Sequence, residues 1–120
     1  MQFETYNPVP GSGCVPRTFS KLLDMDVASV IREMESLAME MGYPRINDVE
    51  VFEKYFQNHH YEKKEKKGLV KDLSLLKGKY GVFCSHEDDY HMFAVINGVI
   101  YDKNQNYGDY QTKAIYQYQK

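Results

Sequence analysis

Apolar residues recur at helical spacing through the first half of the chain and turn to alternation in the last third. From Cys14 to Leu23, the residues Val15, Phe19, Leu22 and Leu23 share one face of a 3.6-residue period, with Pro16 in the tolerant first turn. This predicts a short helix beginning at or near Cys14. Asp24 or Asp26 is placed to cap a second helix, whose stripe is Val27, Val30, Ile31, Met34, Leu37, Ala38 and Met41 and whose stop is Gly42. Asn47 and Glu50 have capping-box spacing and introduce a third helix, which presents Val51, Phe52, Tyr55 and Phe56 and ends near Asn58. A fourth helix is expected through Leu69, Val70, Leu73 and Leu76, closed by Gly78.

After Gly78, β-branched and aromatic residues predict strands at Tyr80 to Ser85, Tyr90 to Asn97, Val99 to Lys103 and Lys113 to Tyr118. Helices followed by strands describe an α+β fold, with N-terminal helices packed on a C-terminal antiparallel sheet. Met1 to Gly13 contains Pro8, Pro10, Gly11, Ser12 and Gly13 and reads as an irregular lead-in. A chain of 120 residues predicts a single domain over residues 1–120.

Composition narrows the class of function. Hydrophobic residues at 42% and charged residues at 27% match an ordinary folded domain and exclude disorder or low-complexity architecture. A net charge of -2 is too balanced for the positive field of a dedicated nucleic-acid binder. No apolar stretch approaches the roughly 20 residues that cross a bilayer. Met1 to Tyr6 has neither a basic start nor an apolar signal core, so no membrane partner and a cytoplasmic location are expected.

Chemistry concentrates at two places. A nucleophilic cysteine must be largely thiolate near neutral pH, and a helix N-terminus lowers a thiol pKa. Cys14 stands at such a position. Its amide lies ahead of the first intrahelical acceptor and is free to donate to an oxyanion, while Gly11 and Gly13 allow close approach of a substrate. Thiol catalysis also needs a base and a group that orients it. Asn97-Gly98, between the apolar runs His91 to Ile96 and Val99 to Tyr101, predicts a type I' hairpin. The register then pairs Ala94 with Tyr101, Phe93 with Asp102 and His91 with Asn104, so that His91, Asp102 and Asn104 share one face. Either Asp102 or Asn104 is within reach to hold the imidazole.

Gly13-Cys14-Val15-Pro16-Arg17-Thr18, together with the stretch from His91 to Asp102, resembles the compact papain-like cysteine peptidases. The likeness is to small bacterial and phage members and, in plan, to bacteriocin-leader peptidase domains. It implies a cysteine-bearing helix on an antiparallel sheet, with Cys14 as nucleophile, His91 as general base and then acid, and Asp102 as orienter. Family members place an amide side chain ahead of the cysteine to complete the oxyanion hole, and Asn7 stands at a comparable distance here. The implied function is a thiol hydrolase, a cysteine peptidase or amidase acting on a peptide or protein through an acyl-enzyme without a cofactor. A catalytically silent module that binds a peptide or partner protein in the same cleft is the alternative.

Competing constellations are also present. Cys84, His86, Asp88 and His91 offer zinc-type donors within eight residues, against a plain turn at His86 to Asp89 with Cys84 in the core. A Cys14 to Cys84 disulfide requires an oxidising compartment. His59-His60 suits a helix C-terminus, and Lys63, Lys64, Lys66 and Lys67 read as a solvated face or loop. Tyr107, Tyr110, Tyr116 and Tyr118 read as surface or core packing and receive no functional role.

Overall fold

The helical stripes require an apolar surface to cover, and the strands supply it. The computed structural model describes residues 1–120. In chain order its elements are β1 (Gln2–Thr5), α1 (Cys14–Leu23), α2 (Val27–Met41), α3 (Val49–Asn58), β2 (Tyr61–Glu65), β3 (Lys79–His86), β4 (Asp89–Ile96), β5 (Val99–Asp102) and β6 (Gln111–Tyr118). The class is α+β. The sheet is six-stranded and mixed, in the order β1-β5-β4-β3-β6-β2.

Two cores form on the two faces of the sheet. Phe19 and Leu22 of α1, Val30 and Met34 of α2, and Val51, Phe52 and Phe56 of α3 pack with Met92, Ala94, Ala114 and Tyr116. On the opposite face, Val70, Leu73 and Leu75 cover Val82, Cys84, Phe93, Val95 and Ile115. The first core is aromatic, with Phe19, Phe52, Tyr55, Phe56, Tyr61 and Tyr116 buried in it and the Phe56 and Tyr116 rings stacked at 4.2 Å.

The three long helical stripes form as expected, with different caps. Asp26 is the N-cap of α2, while Asp24 instead ends α1 in the left-handed conformation, at φ 54°. Asp48, not Asn47, is the N-cap of α3. His59 is the C-cap of that helix, and His60 follows with φ 69°.

Two expectations are corrected, and one strand appears that the sequence did not mark. The fourth helix is only a 3-10 turn at Val70–Asp72. Its backbone bonds go elsewhere: Val70 N–H donates to the Tyr110 carbonyl at 2.9 Å, and Lys71 N–H to that of Gly108 at 3.0 Å. Donors spent on another segment cannot build an i to i-4 ladder. The lysine run is solvent-exposed as expected, and Lys63 and Lys64 belong to an edge strand, β2, in which Lys63 pairs with Tyr116 and its ammonium meets Glu53 at 2.8 Å. Exposed lysines on an edge strand oppose pairing with another chain. The lead-in also holds β1, which pairs with β5 in parallel, so the sheet is not purely antiparallel.

Candidate active site

Asn97 and Gly98 adopt φ 49° and 81°, the double positive φ of the expected turn, and β4 pairs with β5 through Ile96↔Val99, Val95↔Ile100 and Ala94↔Tyr101. The ladder stops there. β5, flanked by β1 along its length, ends at Asp102, so Asn104 lies beyond the strand and His91 has no partner on β5 at that position. Asn104 therefore plays no part at His91. Its Oδ1 accepts from Asn106 N–H at 3.0 Å in the following turn.

Asp102 takes the orienting position. Its Oδ2 lies 2.6 Å from His91 Nε2, with both side chains almost fully buried. Its Oδ1 accepts from Lys103 N–H at 2.7 Å and from the buried Arg17 guanidinium at 3.2 Å. Three donors satisfy the carboxylate, which makes its burial affordable. The Tyr107 ring stacks on the imidazole at 3.5 Å and 10°, closing one ring face.

Cys14 opens α1 behind Gly13, whose φ of 99° and ψ of 161° only glycine adopts without strain. The side chain of His91 and the backbone of Met92 are the polar groups that act on its sulfur. Burial alone would push the Cys14 thiol up. His91, the Met92 amide and the Arg17 charge outweigh it and hold the thiol below its ordinary value. Burial likewise opposes charge on His91, yet Asp102 and Cys14 hold the imidazole above its usual range. Opposite shifts on adjacent groups favour a thiolate beside an imidazolium.

The two groups open into a recess of ≈ 370 Å³ that Asn7, Gly11, Gly13, Asp89, Tyr90 and Lys103 also line. Asn7 thus shares the recess with Cys14, and its buried Oδ1 has no hydrogen-bond partner. The fold brings Cys14, His91, Asp102 and Asn7 together and leaves Asn104 outside.

The other constellations dissolve. Cys84 and His91 are cross-strand partners, but His91 Nε2 is engaged by Asp102 while His86 and Asp88 stand exposed at the turn. No group of three or more His, Cys, Asp or Glu side chains is arranged to hold a metal ion. Cys14 and Cys84 are both free thiols. No helix is long and apolar enough to cross a membrane.

Two residues at the site receive no catalytic role from the sequence: Arg17, which stands in the cysteine motif, and Tyr107, which reads as packing. Arg17 follows Cys14 by three positions, which places both on one face of α1, and that spacing was its available signal. Tyr107 lies in an irregular segment with no periodicity, so nothing local points it at His91. No protein-family model, curated protein or solved structure matches this chain.

Proposed function

We propose that this chain is a papain-like thiol hydrolase, a cysteine peptidase or amidase that cleaves a peptide or amide bond in a peptide or protein substrate. One observation carries the reading: the Cys14 sulfur, at the start of a helix, faces an imidazole whose other nitrogen is held at 2.6 Å by a buried carboxylate. An orienter that occupies Nε2 leaves Nδ1 for the thiol, the division of labour that nucleophile and base require.

In the proposed reaction, the Cys14 thiolate attacks the substrate carbonyl carbon, forming the C–S bond and moving the carbonyl electron pair onto oxygen. The Cys14 N–H, which has no acceptor within the helix, and the Asn7 amide would stabilise that oxyanion, since both residues line the recess beside the sulfur. Collapse of the tetrahedral species breaks the C–N bond, and the His91 imidazolium protonates the departing nitrogen. Water then gives a proton to His91, attacks the thioester and releases the acid, with the sulfur leaving as thiolate. The Tyr107 ring over the imidazole keeps bulk water from the His91–Asp102 hydrogen bond.

The test is the pH dependence of alkylation at Cys14 and Cys84, with hydrolysis of a peptide substrate library measured in parallel. The expected result is a Cys14 that reacts below neutral pH, loses this reactivity in His91→Ala, and is required for cleavage. A reactive Cys14 without turnover would favour the catalytically silent peptide-binding module. Ordinary thiol titration at both cysteines would remove the enzyme reading.

A further inference from the structure

Charge inside the recess has to balance. Asp102 is 1% and His91 5% exposed, and a net charge on so dry a cluster is costly. With Asp102 ionised and Cys14 and His91 as thiolate and imidazolium, these three groups sum to one negative charge. Arg17 lies one turn along α1 from Cys14, is 4% exposed, and has its only side-chain hydrogen bond on Asp102 Oδ1 at 3.2 Å. A guanidinium is hardly ever buried unless paired, and this one is paired with the carboxylate that holds the base.

We propose that Arg17 is a positioning residue for the reaction. Its buried guanidinium holds Asp102 with Oδ2 turned to His91 and supplies the positive charge that allows Cys14 and His91 to rest as an ion pair. The proposal rests on the thiol-hydrolase reading of Cys14 and His91. Charges then alternate across the cluster, from Arg17 through Asp102 and His91 to Cys14, and sum to zero. Removal of Arg17 leaves Asp102 and the thiolate with a single cation between them, so the thiolate becomes harder to form. The other titratable or charged groups around Cys14 are Cys84 on β3, Asp89 and Tyr90 on β4, and Lys103 and Tyr107 beyond β5. Asp89 accepts a hydrogen bond from the Tyr110 hydroxyl, and Lys103 is exposed, so neither replaces a buried cation on Asp102.

A purely structural Arg17, one that only ties α1 to β5, would change stability without changing how Cys14 titrates. The experiment is therefore the pH profile of Cys14 alkylation in the full chain, for wild type, Arg17→Gln and Arg17→Lys, with folding followed by circular dichroism. The expected midpoint rises by about one pH unit in folded Arg17→Gln, about a tenfold loss of thiolate at a pH below both midpoints. Arg17→Lys, which retains the charge, should recover most of that shift. A folded Arg17→Gln with the wild-type midpoint overturns the proposal.

Should Arg17→Gln fail to fold, Asp102→Asn is compared with Arg17→Gln/Asp102→Asn, a pair in which the double variant buries neither charge. The double variant is expected to have the higher midpoint, and equal midpoints overturn the proposal. A wild-type Cys14 that titrates as an ordinary thiol removes the hydrolase reading and this proposal with it. A low wild-type midpoint that survives loss of Arg17 removes this proposal alone.

Discussion

Cys14 and Cys84 are both unpaired thiols, and burial acts on both in the same direction, yet they end in opposite states. Cys14 has an imidazole, an amide and a guanidinium around it and is held below its ordinary value. Cys84 is fully buried, and its neighbours Asp102, Cys14 and Asp89 add negative charge to the effect of burial, so its thiol is pushed up to about 12. It donates to the His91 carbonyl and serves as packing beneath the strand. This difference has a consequence for stability. An unfolded Cys84 ionises from its ordinary 9.0 upward, while the native thiol stays protonated. The unfolded state then binds fewer protons than the native state, so stability falls as pH rises above about 9, by up to about 1.4 kcal/mol per pH unit. Tyr55, Tyr61 and Tyr116 are also raised by burial and add to the slope above their ordinary 10.0. The expected signature in urea unfolding is a decline that begins near pH 9 in wild type and near pH 10 in Cys84→Ala. An unchanged onset in the variant would show that Cys84 is not its source.

At the scale of elements, α3 reaches the sheet through one missing side chain. A Cβ at Gly81 of β3 would lie 2.4 Å from Phe56 Cζ, so glycine is what allows that ring to settle on the strand and stack on Tyr116. Phe56 is fully buried and in contact with Phe19, Tyr61 and Tyr116, so it has nowhere to retreat. Gly81→Ala is expected to cost about 1–3 kcal/mol by overpacking, read as a lower urea midpoint with an unchanged slope. A neutral effect would mean that α3 slides on the sheet more freely than this packing implies. The clash was not legible in the sequence, where Gly81 sits inside a predicted strand with nothing to mark the ring above it. The Asn97-Gly98 turn was legible, because its conformation depends on those two residues and not on distant ones.

Across the whole molecule, β1 extends the hairpin that carries His91 and Asp102. Thr5 lies opposite Asp102 in the parallel β1–β5 pair, Gln2 N–H donates to the Gly98 carbonyl at 2.8 Å, and Tyr6 N–H donates to the Asp102 carbonyl, also at 2.8 Å. β1 contributes no residue to either buried core. Deletion of residues 1–5 is therefore expected to leave a folded domain with its helices intact. Amide exchange should quicken across Val99–Asp102, and Cys14 alkylation below neutral pH should slow as the Asp102 backbone loses its hold. Unchanged protection of β5 in the shortened chain would refute this role for β1.

The sequence by itself determined what a few neighbouring residues decide. Apolar stripes placed α1, α2 and α3, alternation placed β3 to β6, and Gly13 followed by Cys14 set a thiol at a helix start. Each signal is local, carried by side-chain periodicity or by φ preference within a turn or two. Tertiary structure decided the rest. Choosing Asp102 over Asn104 depended on where β5 leaves β4, one edge of a strand whose other edge is held by β1, nearly a hundred residues upstream in the chain. The contact between Arg17 and Asp102, the Tyr107 ring on His91 and the conversion of the expected fourth helix to a 3-10 turn are all pairings between distant segments. Their energies are settled only when the two cores close and the backbone donors have found their final acceptors.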